Sequence, residues 1–536
     1  MRTVILPVVT AGCLASLVGL ALLARNEGFL RSLYFWYGIF PVYLHYRTIQ
    51  LLKRDLRLIS HDLGERLYEA AHELYSHRVR DLHYALRGYY LKNAQLVSTQ
   101  PELVPRAWLK WVESTQDNVP SEFGSPSEAR EYCRRLMMKE RGVDFDALFD
   151  EWEDSPLGVA SIGQVHKARL RATGEYVAVK LQFENMENRF RADMRTLKLF
   201  CQFAMPQHVS AFEEVEKNFD SEFNYLLEAL NLAEVRASIL PRWGHLVTIP
   251  KPYLEYSSRS VLVMEFLHGR RLLDGLRAHF SVIAALLGTN VSVLEEQRAW
   301  QIRDGTYRYR SMDEERRLSK RFRQALMVRS LVSNLNPLRF VRDSTKAVQT
   351  GTRADDFLDI PRILETLSVV HASELFEHGV FNADCHPGNV LILRDGRLGL
   401  LDYGQVKRLQ VQHRIRYAKL IVALARDDRR EIVRLHFDEL GVVTKYRNES
   451  LAYYAAAFYH DRDSSDVTGG RELLEFMEYI ESVDPMVQLP EPYLLAMRGN
   501  MILRGVAKTL GVHVRMSHLW LKEALLFLRS QGIKGY

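Results

Sequence analysis

Asp384, Asn389 and Asp402 are the residues in this 536-residue sequence whose types and spacing suit chemistry best. They fall within "FNADCHPGNVLILRDGRLGLLDYGQ" (Phe381–Gln405): a carboxylate, an amide five positions later, and a second carboxylate just before Tyr403-Gly404. A hard divalent cation needs several oxygens converging from different points of a chain, and Asn389 and Asp402 supply two such donors.

The intervening residues must bring those donors together. Leu391-Ile392-Leu393 and Leu398-Gly399-Leu400-Leu401 read as apolar strands, with Asp395-Gly396 a strong turn signal between them. Folding these strands back to back places Asn389, before the first, near Asp402, after the second. An Asp-x4-Asn spacing, a hairpin and then Asp-x-Gly is how a protein kinase presents its ligands. On that reading Asn389 and Asp402 hold Mg²⁺ between nucleotide phosphates, and Asp384 orients or deprotonates an acceptor hydroxyl. Asp-Tyr-Gly alone is a common turn; the conjunction carries the reading. Upstream, "VAVK" (Val177–Lys180) ends in a lysine suited to the α/β phosphates. A helix-borne carboxylate must place it, with Glu228 the candidate and Glu222 the runner-up. Glu265 and Phe266, after "SVLVM", stand where backbone would meet adenine.

The rest of the chain bounds the answer. Its length implies two or three packed units, and 47% hydrophobic with 26% charged residues is globular composition. A net charge of +6 suits a phosphate-rich ligand or an anionic membrane and is too weak to argue for nucleic acid. Cys13, Cys133, Cys201 and Cys385 form no CxxC pair, which argues against a disulfide scaffold or structural zinc site; Cys385 reads as a small, semi-buried filler, with a reactive thiol as the alternative. Val4 to Ala24 is uncharged, apolar and long enough to cross a bilayer, longer than the core of a typical signal peptide. "LYFWYGIFPVYLHY" (Leu33–Tyr46) then has the aromatic density of a membrane-interface belt.

Between 63 and 97 the pattern is helical, with Leu63, Leu67, Ala71 and Leu74 on one stripe. Ser125-Pro126-Ser127-Glu128 predicts a capped helix start and Gly142 its stop. "SIGQVHKARL" and "EYVAVKLQF" read as antiparallel strands around Ala172-Thr173-Gly174. Residues 288–356 read as an insertion whose "RYRSMDEERRLSKRFRQALMVRS" portion is heavily basic, either a solvated face or a docking face for anionic headgroups.

Taken in order, "PLGVASIGQVHKA", "VAVKLQ", "EFNYLLEALN", "VLVMEFLHG", "ADCHPGNVLIL" and "LLDYGQVKRL" resemble the ABC1/UbiB/ADCK family of atypical kinases, over roughly 86–410. The resemblance implies an α+β, two-lobed protein-kinase-like fold: a membrane anchor (1–27), a helical extension (28–149), a small β-rich lobe (150–267) and a helical lobe (268–536). It also implies that "GVASIGQ" (Gly158–Gln164), with Ala160 and Ser161, replaces a glycine-rich phosphate loop, and that ATP or ADP with Mg²⁺ binds between the lobes. The family's Lys-x-Gly-Gln element corresponds to Lys92, Ala94 and Gln95, and its Glu-x-Asp pair to Glu222 and Asn224. Three positions depart from the pattern: Ala94 for glycine, Asn224 for aspartate and Asn382 for a common histidine. Lys180, Asp384, Asn389 and Asp402 are all kept.

The resemblance further implies a role in mitochondrial, ubiquinone-like prenyl-lipid metabolism, with an inner-membrane location, membrane lipids, a biosynthetic complex and a small-molecule or lipid acceptor as partners. Other organelle membranes stay open, since 1–25 lack an Arg- and Ser-rich presequence. Two rival readings are a nucleotide-binding pseudokinase scaffold and a lipid-surface adaptor.

Overall fold

The computed structural model describes residues 26–98, 104–115, 119–205, 216, 223–304, 306–335, 356–471 and 473–536. The apolar run Val4–Ala24, expected to be a membrane anchor, lies outside these residues, as does Glu222. Among the described residues no single helix is long and apolar enough to cross a membrane. The chain divides into two compact units, one holding the residues up to Ala229 with Tyr253–Glu265, the other Leu230–Pro252 with Phe266–Tyr536.

The first unit opens with helix α1 (Glu27–Gln50), capped by the Asn26 side chain, which accepts from the Phe29 N–H at 3.1 Å. Helix α2 (His61–Leu86) follows and ends at Arg87, whose φ of 56° is left-handed. The helical pattern expected to run on to Val97 is therefore split, and α3 (Gly88–Ser98) starts a new direction. Arg87 is held in its turn by Glu122, at 3.1 Å, and by the Pro120 carbonyl. The buried face of α2 is Gly64, Ala71, Val79, Leu82 and Leu86, whereas Leu63 and Leu74 are exposed. Packing against α1, where Gly38 meets Leu82, selects that face over the stripe read from hydropathy.

Helix α4 (Arg106–Ser114) packs on α2 and α3 around Val79, Ala94, Trp111 and Val112. Helix α5 (Pro126–Arg141) begins and ends where local chemistry requires: Ser125 accepts from the Glu128 N–H at 3.3 Å, and Gly142 is left-handed at φ 66°. Glu128 closes the cap one residue earlier than expected, accepting from the Gly124 N–H at 2.7 Å.

The sheet of this unit comprises β1 (Phe149–Trp152), β2 (Gly158–Val159), β3 (Gly163–Leu170), β4 (Tyr176–Gln182) and β6 (Val261–Glu265), all antiparallel, in the order β1-β3-β4-β6 with β2 on β3. Val177, Val179, Leu181, Val261 and Val263 fill its inner face. Helix α6 (Met186–Ala204) ties the sheet region to α1: Arg31 makes a bidentate pair with Asp193, at 2.9 and 2.5 Å. Burial outweighs that arginine, pushing the Asp193 carboxyl up to about 6.

Helix α7 (Tyr225–Trp243) starts in the first unit and continues into the second. There β5 (Val247–Thr248), β7 (Gly269–Arg271), β9 (Val390–Leu393) and β10 (Leu398–Leu400) form a sheet in the order β5-β10-β9-β7. The strands β8 (Val380–Asn382) and β11 (Val406–Arg408) pair antiparallel, with Asn382 opposite Val406. Around these pack α9 (Ile360–Ala372), α10 (Val411–Ala425), α11 (Glu491–Thr509) and α12 (Met516–Ser530), whose core holds Phe376, Tyr417 and Trp520 fully buried. The basic stretch forms α8 (Met312–Leu335). Part of its charge is neutralised locally, Arg316 by Asp313 and Glu365 and Arg323 by Asp359.

Candidate active site

In the second unit, β9 and β10 form a tight hairpin with Val390 opposite Leu400 and Ile392 opposite Leu398, turned at Gly396, where φ is 84°. At its open end the Leu401 N–H donates to the Asn389 carbonyl at 3.0 Å, which fixes Asn389 beside the residue preceding Asp402. The two oxygen-bearing residues are therefore brought together by one backbone bond. Asp402 is turned in its own loop by the Gly404 N–H, which donates to its Oδ1 at 2.9 Å.

Asn382 secures the loop before the hairpin. Its Oδ1 accepts from the Asp384 N–H at 2.9 Å, while its Nδ2 donates to the Asp402 carbonyl at 2.7 Å. One amide side chain thus holds both acidic segments in register, using its donor and acceptor ends for different loops. Sequence reasoning marked Asn382 only as a departure. It missed Glu374, a buried carboxylate that accepts from the Asn382 N–H at 3.2 Å and from the Tyr403 hydroxyl at 2.9 Å. Burial, and then the adjacent Glu374, push the Tyr403 phenol well above its ordinary range, so it stays a donor. The Tyr403 carbonyl in turn accepts from Asn231 Nδ2 at 3.1 Å. A glutamate within "VVHASELFEHG" (Val369–Gly379), flanked by apolar residues, was the available signal. Cys385 lies beside Asp384 and donates to the Gly499 carbonyl at 3.6 Å, and burial pushes its thiol up, so it is no nucleophile at neutral pH.

In the first unit Lys180 lies on β4 and donates to both carboxylate oxygens of Glu228, each at 2.9 Å. Glu228 is only 4% exposed and sits in the first turn of α7. Asn224 caps that turn, accepting from the Leu227 N–H at 3.2 Å, so the amide that departs from the family pattern orients the helix bearing Glu228. The Lys180 ammonium also lies 4.8 Å from the Tyr225 ring centroid. The turn from β2 to β3 holds Ala160, whose N–H is used by the Gly163 carbonyl at 2.7 Å, and Ser161, which is buried. Gly163 is required there: a Cβ would lie 2.2 Å from the Leu181 carbonyl oxygen. Glu265 ends β6 opposite Val177, and Phe266 follows as the first residue of the next segment of the second unit.

The Lys-x-Gly-Gln-like element lies on α3. Ala94 is buried against Trp111 and Val112, Gln95 Nε2 donates to the Thr115 carbonyl at 2.8 Å, and Lys92 is half-buried.

Among the described residues no three His, Cys, Asp or Glu side chains gather as a metal cage. The donor set at the hairpin is an amide oxygen and a carboxylate, which leaves other coordination positions for phosphate and water. That set fits Mg²⁺, which keeps several waters and binds through few protein oxygens.

The model of the ABC1 atypical kinase-like domain matches residues 122–286 and 345–436, a stretch that includes Lys180, Glu228 and the whole hairpin. The chain carries an ABC1 atypical kinase-like domain. Its relatives include AarF domain-containing kinase 1 of Drosophila melanogaster, 24% identical over 87% of this chain and 78% of that one. The uncharacterized protein sll0005 of Synechocystis is 27% identical over 66% of this chain and 40% of its own length. The probable protein kinase UbiB of Aeromonas hydrophila is 29% identical over 41% of this chain and 39% of that one. This ABC1 chain therefore has a kinase-like α+β fold, of a kind that handles nucleotides.

Proposed function

We propose that this ABC1 chain binds ATP with Mg²⁺ and transfers its γ-phosphoryl group to a small-molecule or lipid acceptor, or to water. The observation that carries the reading is the Lys180–Glu228 pair, bidentate at 2.9 Å with the carboxylate buried. An ammonium fixed by a helix carboxylate is the arrangement a kinase needs to hold α/β phosphates. Asn389 and Asp402 would hold Mg²⁺, which neutralises phosphate charge when bound. Asp384 would orient the acceptor hydroxyl and take its proton. Ser161, Glu265 and Phe266 would line the nucleotide. The proposed organisation is a small β-rich lobe (150–267) and a helical lobe (268–536), preceded by the helical extension and an anchor.

The proposal extends to a membrane. The apolar run Val4–Ala24 directly precedes α1, whose outward face carries Phe29, Leu33, Tyr37, Phe40 and Leu44, all exposed. At 100° per residue these fall on one stripe, opposite the buried Phe35, Gly38, Val42 and Ile49. An aromatic face with no charge from Ser32 to Tyr46 suits the interface of a bilayer. We place the chain at an organelle membrane, the mitochondrial inner membrane first, in prenyl-lipid metabolism.

The test is ATP turnover by the full chain. Lys180→Met and Glu228→Gln should each lower turnover on the order of 100-fold, and the double variant should be little worse than either single one. Parental rates in both single variants would overturn the reading. Nucleotide binding without turnover in the parent would instead favour the pseudokinase scaffold, the reading that the altered Ala94, Asn224 and Asn382 support.

A further inference from the structure

The loop Asp384-Cys385-His386-Pro387-Gly388-Asn389 contains no lysine or arginine. Its histidine accepts from the Gly388 N–H through Nδ1 at 3.0 Å, so it serves as a cap within the loop. Phosphoryl transfer spreads negative charge over the oxygens of the moving group, and a cation close to the attacking oxygen stabilises that charge strongly. The loop does not supply that cation itself.

Helix α11, outside the matched stretches of the family domain, brings one. Arg498 Nη2 lies 3.9 Å from Asp384 Oδ1, with the arginine side chain 31% exposed and the aspartate 15%. This is within ion-pair range but beyond hydrogen-bond range. Elsewhere in the chain, structural Arg–carboxylate pairs close to contact: Arg169 with Asp150 at 2.9 and 2.9 Å, Arg434 with Glu431 at 2.8 and 2.8 Å. Arg498 makes no hydrogen bond among the described residues.

The approach of α11 is built, not incidental. Gly499 faces His371, and a Cβ there would lie 2.8 Å from His371 Nε2, so only glycine lets the helix come this close. The Cys385 thiol donates to the carbonyl of the same Gly499. Asn500, next along, donates to the His460 carbonyl at 2.7 Å and is fully buried. Gly499 thus seats the helix on the loop, Asn500 anchors it to the His460 carbonyl, and Arg498 presents a guanidinium beside Asp384.

We infer that Arg498 is a phosphate-binding catalytic residue, contacting the γ-phosphate of the bound nucleoside triphosphate as it moves to the acceptor. The inference rests on the proposed function and names a residue of that same site. In the step, the acceptor oxygen bonds to the γ-phosphorus as the bond to the β–γ bridging oxygen breaks. The electron pair leaves with ADP, and the acceptor proton passes to Asp384. The planar guanidinium holds an equatorial phosphoryl oxygen throughout and aligns the Asp384 carboxylate to receive the proton.

The experiment is steady-state ATP turnover by the full chain as parent, Arg498→Ala, Arg498→Lys and Asp402→Asn, with and without added guanidinium ion. Arg498→Ala should lose on the order of 100-fold in kcat with little change in KM. Arg498→Lys should recover part of that loss, and free guanidinium should restore turnover to Arg498→Ala alone. Parental kcat in Arg498→Ala beside an inactive Asp402→Asn would overturn the inference and leave the proposed function standing. A loss that neither lysine nor guanidinium repairs would make Arg498 structural and also overturn it. Parental turnover in Asp402→Asn would overturn the proposed function itself.

Discussion

Asn382 shows how a single amide organises two acidic segments. Replacing it with leucine would leave the part-buried Asp384 N–H and Asp402 carbonyl without their partner, at roughly 1 kcal/mol each. The effect on rate should exceed the effect on binding, because the acids would be misplaced and not removed. Asn382→Leu is expected to lower kcat on the order of 100-fold while the KM for ATP changes little. Asn382→His, which keeps one polar contact, should fall between. Steady-state kinetics on the three proteins checks this, and an unchanged kcat in Asn382→Leu would remove the bridge from the account. The meeting of Asn389 with the start of the Asp402 loop was legible from the strand pattern and the Asp395-Gly396 turn, since one hairpin joins them. Glu374, Asn231 and Arg498 were not. Asn231 and Arg498 come from more than a hundred residues away in sequence, where nothing local marks them as facing the loop, and Glu374 was signalled only by its apolar flanks.

Elements were legible where their ends are set locally. Ser125-Pro126 and Gly142 bound α5 as read, because caps and left-handed glycines act within a few residues. The break at Arg87 was hidden, since a non-glycine residue at positive φ is imposed by its contacts with Glu122 and Pro120. The inner face of α2 was hidden for a related reason: hydropathy shows that a helix has an apolar side, but the partner helix decides which residues are covered. Helix α1 is the converse case, apolar on both sides with only one side covered by the described residues. Its exposed stripe should enter a bilayer interface. A fluorophore placed through Tyr37→Cys, at a position 73% exposed, is expected to be quenched by quencher-bearing lipids in anionic vesicles. The same probe through Val487→Cys, 66% exposed on the other unit, should not be quenched. Equal, low quenching at both positions would argue against a docked α1.

Across the whole molecule, each unit carries a separable share of the chemistry. The first holds Lys180 with its buried carboxylate partner Glu228, on a sheet that requires Gly163. The second holds the hairpin and the network of Glu374, Asn382 and Tyr403. The family comparison skips 287–344 and stops at 436, so the basic segment and the helices that deliver Arg498 and Trp520 lie outside the matched domain. The central claim is that Asp402 and Asn389 hold a divalent ion against nucleotide phosphates. Titration of ATP into the full chain by calorimetry, with Mg²⁺ or with EDTA, tests it most directly. The parent should bind ATP about 10-fold or more tightly with Mg²⁺, and Asp402→Asn should lose that difference while still binding ATP through Lys180. Equal Mg²⁺ dependence in the parent and Asp402→Asn would contradict the account.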